Sequence, residues 1–244
     1  MQIRSTNPQA WRLMIFYRFC LEIVRLSKMQ DLSISRKAIA MNKVKFGAEG
    51  WNNRFRGDGW AYGKEPNAWL AERIKPGTGK ALVPADGEGR NAVWIAAQGY
   101  ETIVFDLSDV GKEKCALLAK EKGVTVEYEV DDLVERDFKE DEYDLIACSW
   151  FHVPWTIFCE HYPRMLSSLK SGGEFVCEGY HTTQREMTSG GPKSLDLLWD
   201  LDEVMEVLSD GFETIHAAVE TVVLDESDLH RGPAHVVRLH LKKI

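Results

Sequence analysis

The six residues Asp86-Gly87-Glu88-Gly89-Arg90-Asn91 carry the spacing in this chain best suited to hold a ligand. They follow an apolar run and open an amphipathic one, so the glycines stand where a strand turns into a helix. Glycines there permit a tight turn and let a ligand lie against backbone with no Cβ in the way. On that reasoning a branched side chain at Gly89 is expected to occupy the ligand's place. Gly87-x-Gly89-x-x-Ala92 also fits a dinucleotide site, with the helix N-terminus facing a pyrophosphate. Asp106 ends a second apolar run, where a carboxylate suits two ribose hydroxyls. Asp132 and Leu133 follow a third, where a carboxylate can accept from an adenine amino group while its neighbour packs on the ring. Both acids equally suit solvated turns.

A second group lies after the fourth and fifth apolar runs: Phe151, His152, Glu178, Tyr180 and Gln184. These residues are expected to shape a substrate pocket. His152 has the titration range to deprotonate a substrate, or it serves structurally, by capping a helix or bonding the backbone. Gly190-Gly191-Pro192 reads as a lid segment or a turn. His230 reads as near the same mouth or exposed to solvent. No Ser-His-Asp arrangement and no metal-ligand spacing is evident, and no tyrosine has a lysine four residues later, as short-chain dehydrogenases require.

Such residues need a frame that gathers strand ends. From Lys80 short apolar runs alternate with longer amphipathic ones, the signature of βαβ units. Residues 80–85, 101–106, 124–130, 143–149 and 174–180 read as five parallel strands. Helices are expected over 91–98, 110–122 (closed by Gly123) and 155–169, ending before a turn at Ser171-Gly172-Gly173, and near 200–209. The last runs, 212–224 and 234–243, are joined by a polar loop from Asp225 to Pro233 that is too short for a crossover helix, so they are predicted antiparallel neighbours. The fold class is therefore α/β and Rossmann-like: a mostly parallel seven-stranded sheet flanked by helices, with a C-terminal antiparallel β-hairpin. Dehydrogenases usually finish instead on a parallel sixth strand.

Charge and cysteine content narrow the partners. Residues 1–45 hold nine Lys/Arg against Glu22 and Asp31, about +7, which leaves about −15 on the remainder of a chain whose net charge is −8. An acidic main domain argues against nucleic acid and for a small molecule. No apolar run approaches the length of a membrane span. The five cysteines are odd in number, scattered and never C-x-x-C, which favours a reducing compartment over a disulfide framework or zinc site. Residues 1–40 are set apart as a basic extension, helical or disordered. It resembles an organelle transit peptide, or an extension upstream of a start at Met41. The main domain is then 41–244, expected in the cytoplasm, or in an organelle if the extension targets it.

Several segments together resemble the class I methyltransferases grouped around the tellurite-resistance and thiopurine methyltransferase-like enzymes. They are Trp51-Asn52-Asn53-Arg54-Phe55, Tyr62 to Asn67, Gly87 to Asn91, Asp106-Leu107-Ser108, Phe151 to Pro154, Gly172-Gly173, Glu178-Gly179-Tyr180, Gln184, Ser189 to Pro192 and His230-Arg231-Gly232. The resemblance covers nearly all of residues 46–244. It implies S-adenosylmethionine as cofactor, held by Asp86, Gly87, Gly89, Asn91, Asp106, Leu107, Asp132, Leu133 and Ser149. Trp51 and Tyr62 are expected to cover it, or else to staple the preceding segment to the domain. The implied reaction is in-line methyl transfer to a small-molecule acceptor such as a thiol, a chalcogen or a similar soft nucleophile, with no metal. Two departures stand out: Val83 replaces the strand-end acid and Ala85 the first glycine, so Asp86 is expected to take over contact with the methionine amino group. An NAD(P)-dependent oxidoreductase and a catalytically silent adenosylmethionine-binding module are the alternatives.

Overall fold

In the computed structural model, which describes residues 47–244, seven strands form one sheet in the order β3-β2-β1-β4-β5-β7-β6. The expected extension 1–40 and the start near Met41 lie outside the described residues. Two short helices, α1 (Ala48–Phe55) and α2 (Ala68–Arg73), precede the sheet. The chain then alternates through β1 (Lys80–Pro84), α3 (Arg90–Ala97), β2 (Glu101–Asp106), α4 (Asp109–Lys122) and β3 (Val126–Val130). It continues with β4 (Tyr143–Ser149), α5 (Trp155–Ser167), β5 (Leu169–Tyr180), α6 (Leu201–Leu208), β6 (Phe212–Ser227) and β7 (His230–Lys243).

Local chemistry sets the boundaries. Helix α4 opens on Ser108, whose hydroxyl accepts from the Gly111 amide, and closes on the left-handed Gly123, as its sequence predicted. Along β1, Leu82 points into a core shared with Ile146, Phe158 and Tyr162, while Ala81 and Val83 point into another with Val93, Ile95 and Leu118. That alternation of two apolar faces requires helices on both sides. Strands β1 to β5 pair in parallel, and β7 enters antiparallel between β5 and β6, so the predicted architecture is the observed one.

Two boundaries differ from the expectation. Strand β5 begins at Leu169, because the Ser171-Gly172-Gly173 stretch is an irregularity within the strand: Tyr143 pairs with Leu169 and Leu145 with Glu174. The hairpin is also much tighter than its polar sequence suggested. Strands β6 and β7 run on until Ser227 faces His230, leaving Asp228 and Leu229 at the turn. Asp225 lies opposite Arg231 and forms an ion pair with it at 3.2 Å. Polar residues that satisfy one another across a ladder make strand as well as apolar ones do.

The topology locates a site. Strand order reverses between β1 and β4, which are adjacent and parallel, and ligands of open α/β sheets bind beyond the carboxyl ends of strands at such a point. Both strands end there on a residue forced into left-handed backbone, Ala85 (φ 51°) after β1 and Trp150 (φ 61°) after β4. Non-glycine residues held in that region cluster at functional sites.

Candidate cofactor and acceptor site

The glycine loop is tied down from three sides. Asp86 accepts the Ala92 amide at 2.8 Å and the Asn91 side-chain amide at 2.7 Å, so its carboxylate caps the start of α3. Burial pushes the Asp86 carboxyl up to about 7, against the opposing pull of those two bonds and of Arg90. The Gly87 amide donates to Asp106 at 2.9 Å, and the Gly87 carbonyl accepts from the Tyr128 hydroxyl at 2.8 Å. Asp106 uses its other oxygen for the Ser108 amide at 2.9 Å. A carboxylate offers about four acceptor positions, so Asp106 keeps some acceptor capacity beyond these backbone amides. Leu107 beside it is half-buried.

The two glycines face different things. A Cβ on Gly87 would stand 2.8 Å from the Phe55 ring, which roofs the loop. A Cβ on Gly89 would meet Cys115 of α4 at 2.3 Å. The expectation that a side chain at Gly89 fills the ligand's place is therefore corrected: Gly89 is required for close helix packing and for its φ of 87°.

The segment before the sheet forms the cover. Trp51 stacks on Phe55 at 5.7 Å, and Tyr62 meets Phe55 edge-on and leans on His230 at 4.9 Å. The loop's own side chains hold this cover. Glu88 accepts the Ala61 amide at 2.7 Å and pairs with Lys114 at 2.8 Å, while Arg90 donates to the Tyr62 carbonyl at 2.9 Å. Asn52 accepts from the Ser108 hydroxyl at 2.6 Å.

Glu226, to which no sequence signal pointed, joins four segments of the chain. It accepts from Asn67 (2.7 Å), Arg90 (2.8 Å), the Trp150 indole (3.0 Å) and His230 (3.3 Å). Burial pushes its carboxyl up, but the His230 bond and the Arg90 charge prevail and hold it at about 2. Around it, Trp150 stacks on Tyr180 at 4.4 Å and lies 4.9 Å from His230. Tyr62, Trp150, Tyr180 and His230 thus gather from the cover, from the ends of β4 and β5, and from the hairpin. His230, expected near the mouth or in solvent, is buried within this group.

Other predicted residues have different tasks. His152 accepts the Tyr180 amide on Nε2 at 3.0 Å, and burial lowers its pKa to about 4, so it stays neutral and that nitrogen is occupied. Glu178 is buried with both oxygens bound, to Arg238 at 2.7 Å and Asn67 at 2.6 Å. Gln184 is fully buried: its amide nitrogen serves Ser189 and the Gly190 carbonyl, and its oxygen takes the His235 amide at 2.8 Å. It latches the segment after β5 to the hairpin and does not line a pocket. Phe151 packs edge-on against Phe105 and against Tyr162. Leu133 is spent on the core, and Asp132 caps its own turn by accepting the Val134 amide at 2.9 Å. Ser149 and Asn67 both bind Asn91, the first at 3.1 Å through its hydroxyl and the second at 2.8 Å through its amide.

Among the described residues no group of three or more His, Cys, Asp and Glu is arranged to hold a metal ion, and no helix is long and apolar enough to cross a membrane. Residues 82–173 match the model of a methyltransferase domain. No curated protein matches the chain. Among solved structures, magnesium protoporphyrin IX methyltransferase from Synechocystis PCC 6803, with bound S-adenosylhomocysteine, is 15% identical with a TM-score of 0.58, over 85% of this chain and 100% of that one. An S-adenosylmethionine-dependent methyltransferase from Mesorhizobium loti is 16% identical with a TM-score of 0.56, over 72% and 96%. TehB from Haemophilus influenzae is 14% identical with a TM-score of 0.57, over 72% and 60%. These likenesses are of fold. They show the Rossmann-like fold of S-adenosylmethionine-dependent methyltransferases, and the domain match falls on its first five strands.

Proposed function

We propose that this protein transfers the methyl group of S-adenosylmethionine to a small-molecule acceptor, at the junction of the glycine loop, the carboxyl ends of β4 and β5, and the tip of the β6–β7 hairpin. The observation that carries the reading is the bonded unit of Gly87 and Asp106 at the point where strand order reverses, with the Tyr62, Trp150, Tyr180 and His230 group beside it. The residues fit the cofactor: Asp106 retains hydroxyl-accepting capacity, the glycine loop offers backbone, and Trp51, Phe55 and Tyr62 supply aromatic cover. We assign the remaining contacts of Asp86, Asn91, Leu107 and Ser149 to the same site. Antiparallel β7 favours this reading over a nicotinamide oxidoreductase.

The cofactor supplies a preactivated electrophile, so the protein's work is to position the acceptor, exclude water and, for a protonated acceptor, receive a proton. His230 is better placed for that than His152. Its Nδ1 faces Glu226 at 3.3 Å, and no hydrogen bond to another described residue occupies its Nε2. The cover and the hairpin close over the site from two sides, which suits a small acceptor, and a thiol or a similar soft nucleophile needs least activation. Transfer of a labelled methyl group to thiols, chalcogen oxyanions and small phenols tests the reading. Turnover of one class, lost in His230→Asn, is expected. Inactivity on every class, with cofactor still bound, contradicts it.

A further inference from the structure

Tyr180 is 1% exposed, yet its hydroxyl has no hydrogen-bond partner among the described residues. Burying a hydroxyl without a partner carries a cost that folding proteins generally avoid. The orphan therefore calls for an explanation.

The ring is held firmly. Trp150 stacks on it at 4.4 Å, His152 lies 5.7 Å away in near-parallel orientation, and the His152 imidazole accepts the Tyr180 backbone amide. The hydroxyl is thus aimed by its surroundings. Above it runs Gly190-Gly191, both left-handed with φ of 116° and 84°. A Cβ on Gly190 would stand 3.1 Å from the hydroxyl and 3.3 Å from the His230 ring, and a Cβ on Gly191 would stand 2.8 Å from the tyrosine ring. A Cβ on Gly190 would also stand 2.5 Å from the Leu229 carbonyl, so the two glycines let this backbone lie directly against Tyr180 and His230.

Charge narrows what the hydroxyl can meet. Burial, then Glu226 and Glu178, keep it protonated far above the ordinary tyrosine range, so it is a donor. The neighbouring cations are already engaged: Arg90 by Glu226, and Arg238 by Glu178 and Glu220. An anionic acceptor would face two carboxylates, with the neighbouring arginines among the described residues already paired.

Building on the methyl-transfer reading, we propose that Tyr180 is the acceptor-orienting residue of the site, and that its hydroxyl donates to an uncharged oxygen or nitrogen of a small neutral acceptor carrying its nucleophilic atom nearby. The Gly190-Gly191 backbone borders the position of that acceptor. A neutral thiol with an adjacent hydroxyl fits this description, and a chalcogen oxyanion does not.

Tyr180→Phe removes only the hydroxyl. Because the hydroxyl has no partner among the described residues, thermal unfolding of the variant should occur at the wild-type temperature or above it. A clear fall would show that the hydroxyl serves the fold, and would overturn the proposal. With S-adenosylhomocysteine bound, an NMR titration with 2-mercaptoethanol should show binding to wild type that weakens about tenfold in Tyr180→Phe, while selenite shows none. Equal affinity in both proteins, selenite binding, or no 2-mercaptoethanol binding by wild type overturns it. If wild type does not bind S-adenosylhomocysteine in calorimetry, the methyl-transfer reading itself fails, an outcome separate from the others.

Discussion

The Arg90 guanidinium lies 2.8 Å from the Glu226 carboxylate, which joins the first turn of the helix after the glycine loop to the tip of the hairpin across 136 residues of sequence. Both side chains are nearly buried, at 6% and 10% exposure. Removing one partner of such a pair strands the other charge, at a cost of about 3–5 kcal/mol. Arg90→Met is expected to lower stability by that order in urea unfolding. Replacing both residues with apolar ones should cost less than the two single changes added together.

The same pair sets an acid limit. Glu226 is held at about 2 against an ordinary 4.5, so the folded state keeps its charged form where the unfolded chain takes up protons. Its contribution is present above about 4.5 and is lost as pH falls towards 2. The stability difference between wild type and Glu226→Gln should shrink over that window. A difference independent of pH would contradict the assignment.

Asp86 acts with the opposite sign. Its carboxyl is raised from 3.8 to about 7, so the folded state binds a proton that the unfolded state has released, and stability falls as pH rises between these values. Asp86→Asn should match wild type near pH 4 and be the more stable protein near pH 8. Thermal melts at the two pH values read this directly.

Gly89→Ala should fail through the fold. Its Cβ would collide with Cys115, and its φ of 87° disfavours any side chain. A lower melting temperature is expected, and adding Cys115→Ala should not restore it, because the Cβ of residue 115 would still stand 2.6 Å away. Wild-type stability with loss of cofactor binding would restore the view that a side chain there blocks the ligand.

Ala85 holds a left-handed φ of 51° at the end of β1. Ala85→Gly should relieve roughly 1 kcal/mol of strain, offset in part by the greater freedom of glycine in the unfolded chain. A melting temperature at or slightly above wild type is expected.

These relationships show which parts of the molecule are readable in one dimension. Strand β1, its glycine loop and α3 were legible because the signals are local: an apolar run, two glycines, then amphipathic spacing. Antiparallel β6 and β7 were legible from the shortness of their connection. The inward-facing hairpin tip was not, because Asp225, Glu226, His230 and Arg231 look like a solvated loop until their partners are known. Glu226 finds Asn67, Arg90 and Trp150 at separations of 159, 136 and 76 residues, and no spacing rule reaches that far. Gln184 and Glu178 were expected in a substrate pocket, but their polar groups are consumed inside the protein. Tyr180 and His230 retain unused hydrogen-bonding capacity, which only the folded arrangement reveals.

Whether the glycine loop with Asp106 holds S-adenosylmethionine is decided by calorimetry of S-adenosylhomocysteine and NADH with wild type and Asp106→Asn. Wild type should bind S-adenosylhomocysteine and not NADH, and Asp106→Asn should bind it at least tenfold more weakly, the loss of a charge-assisted hydrogen bond being worth about 1.5–3 kcal/mol. Binding of NADH alone, or an unchanged affinity in the variant, would contradict that assignment.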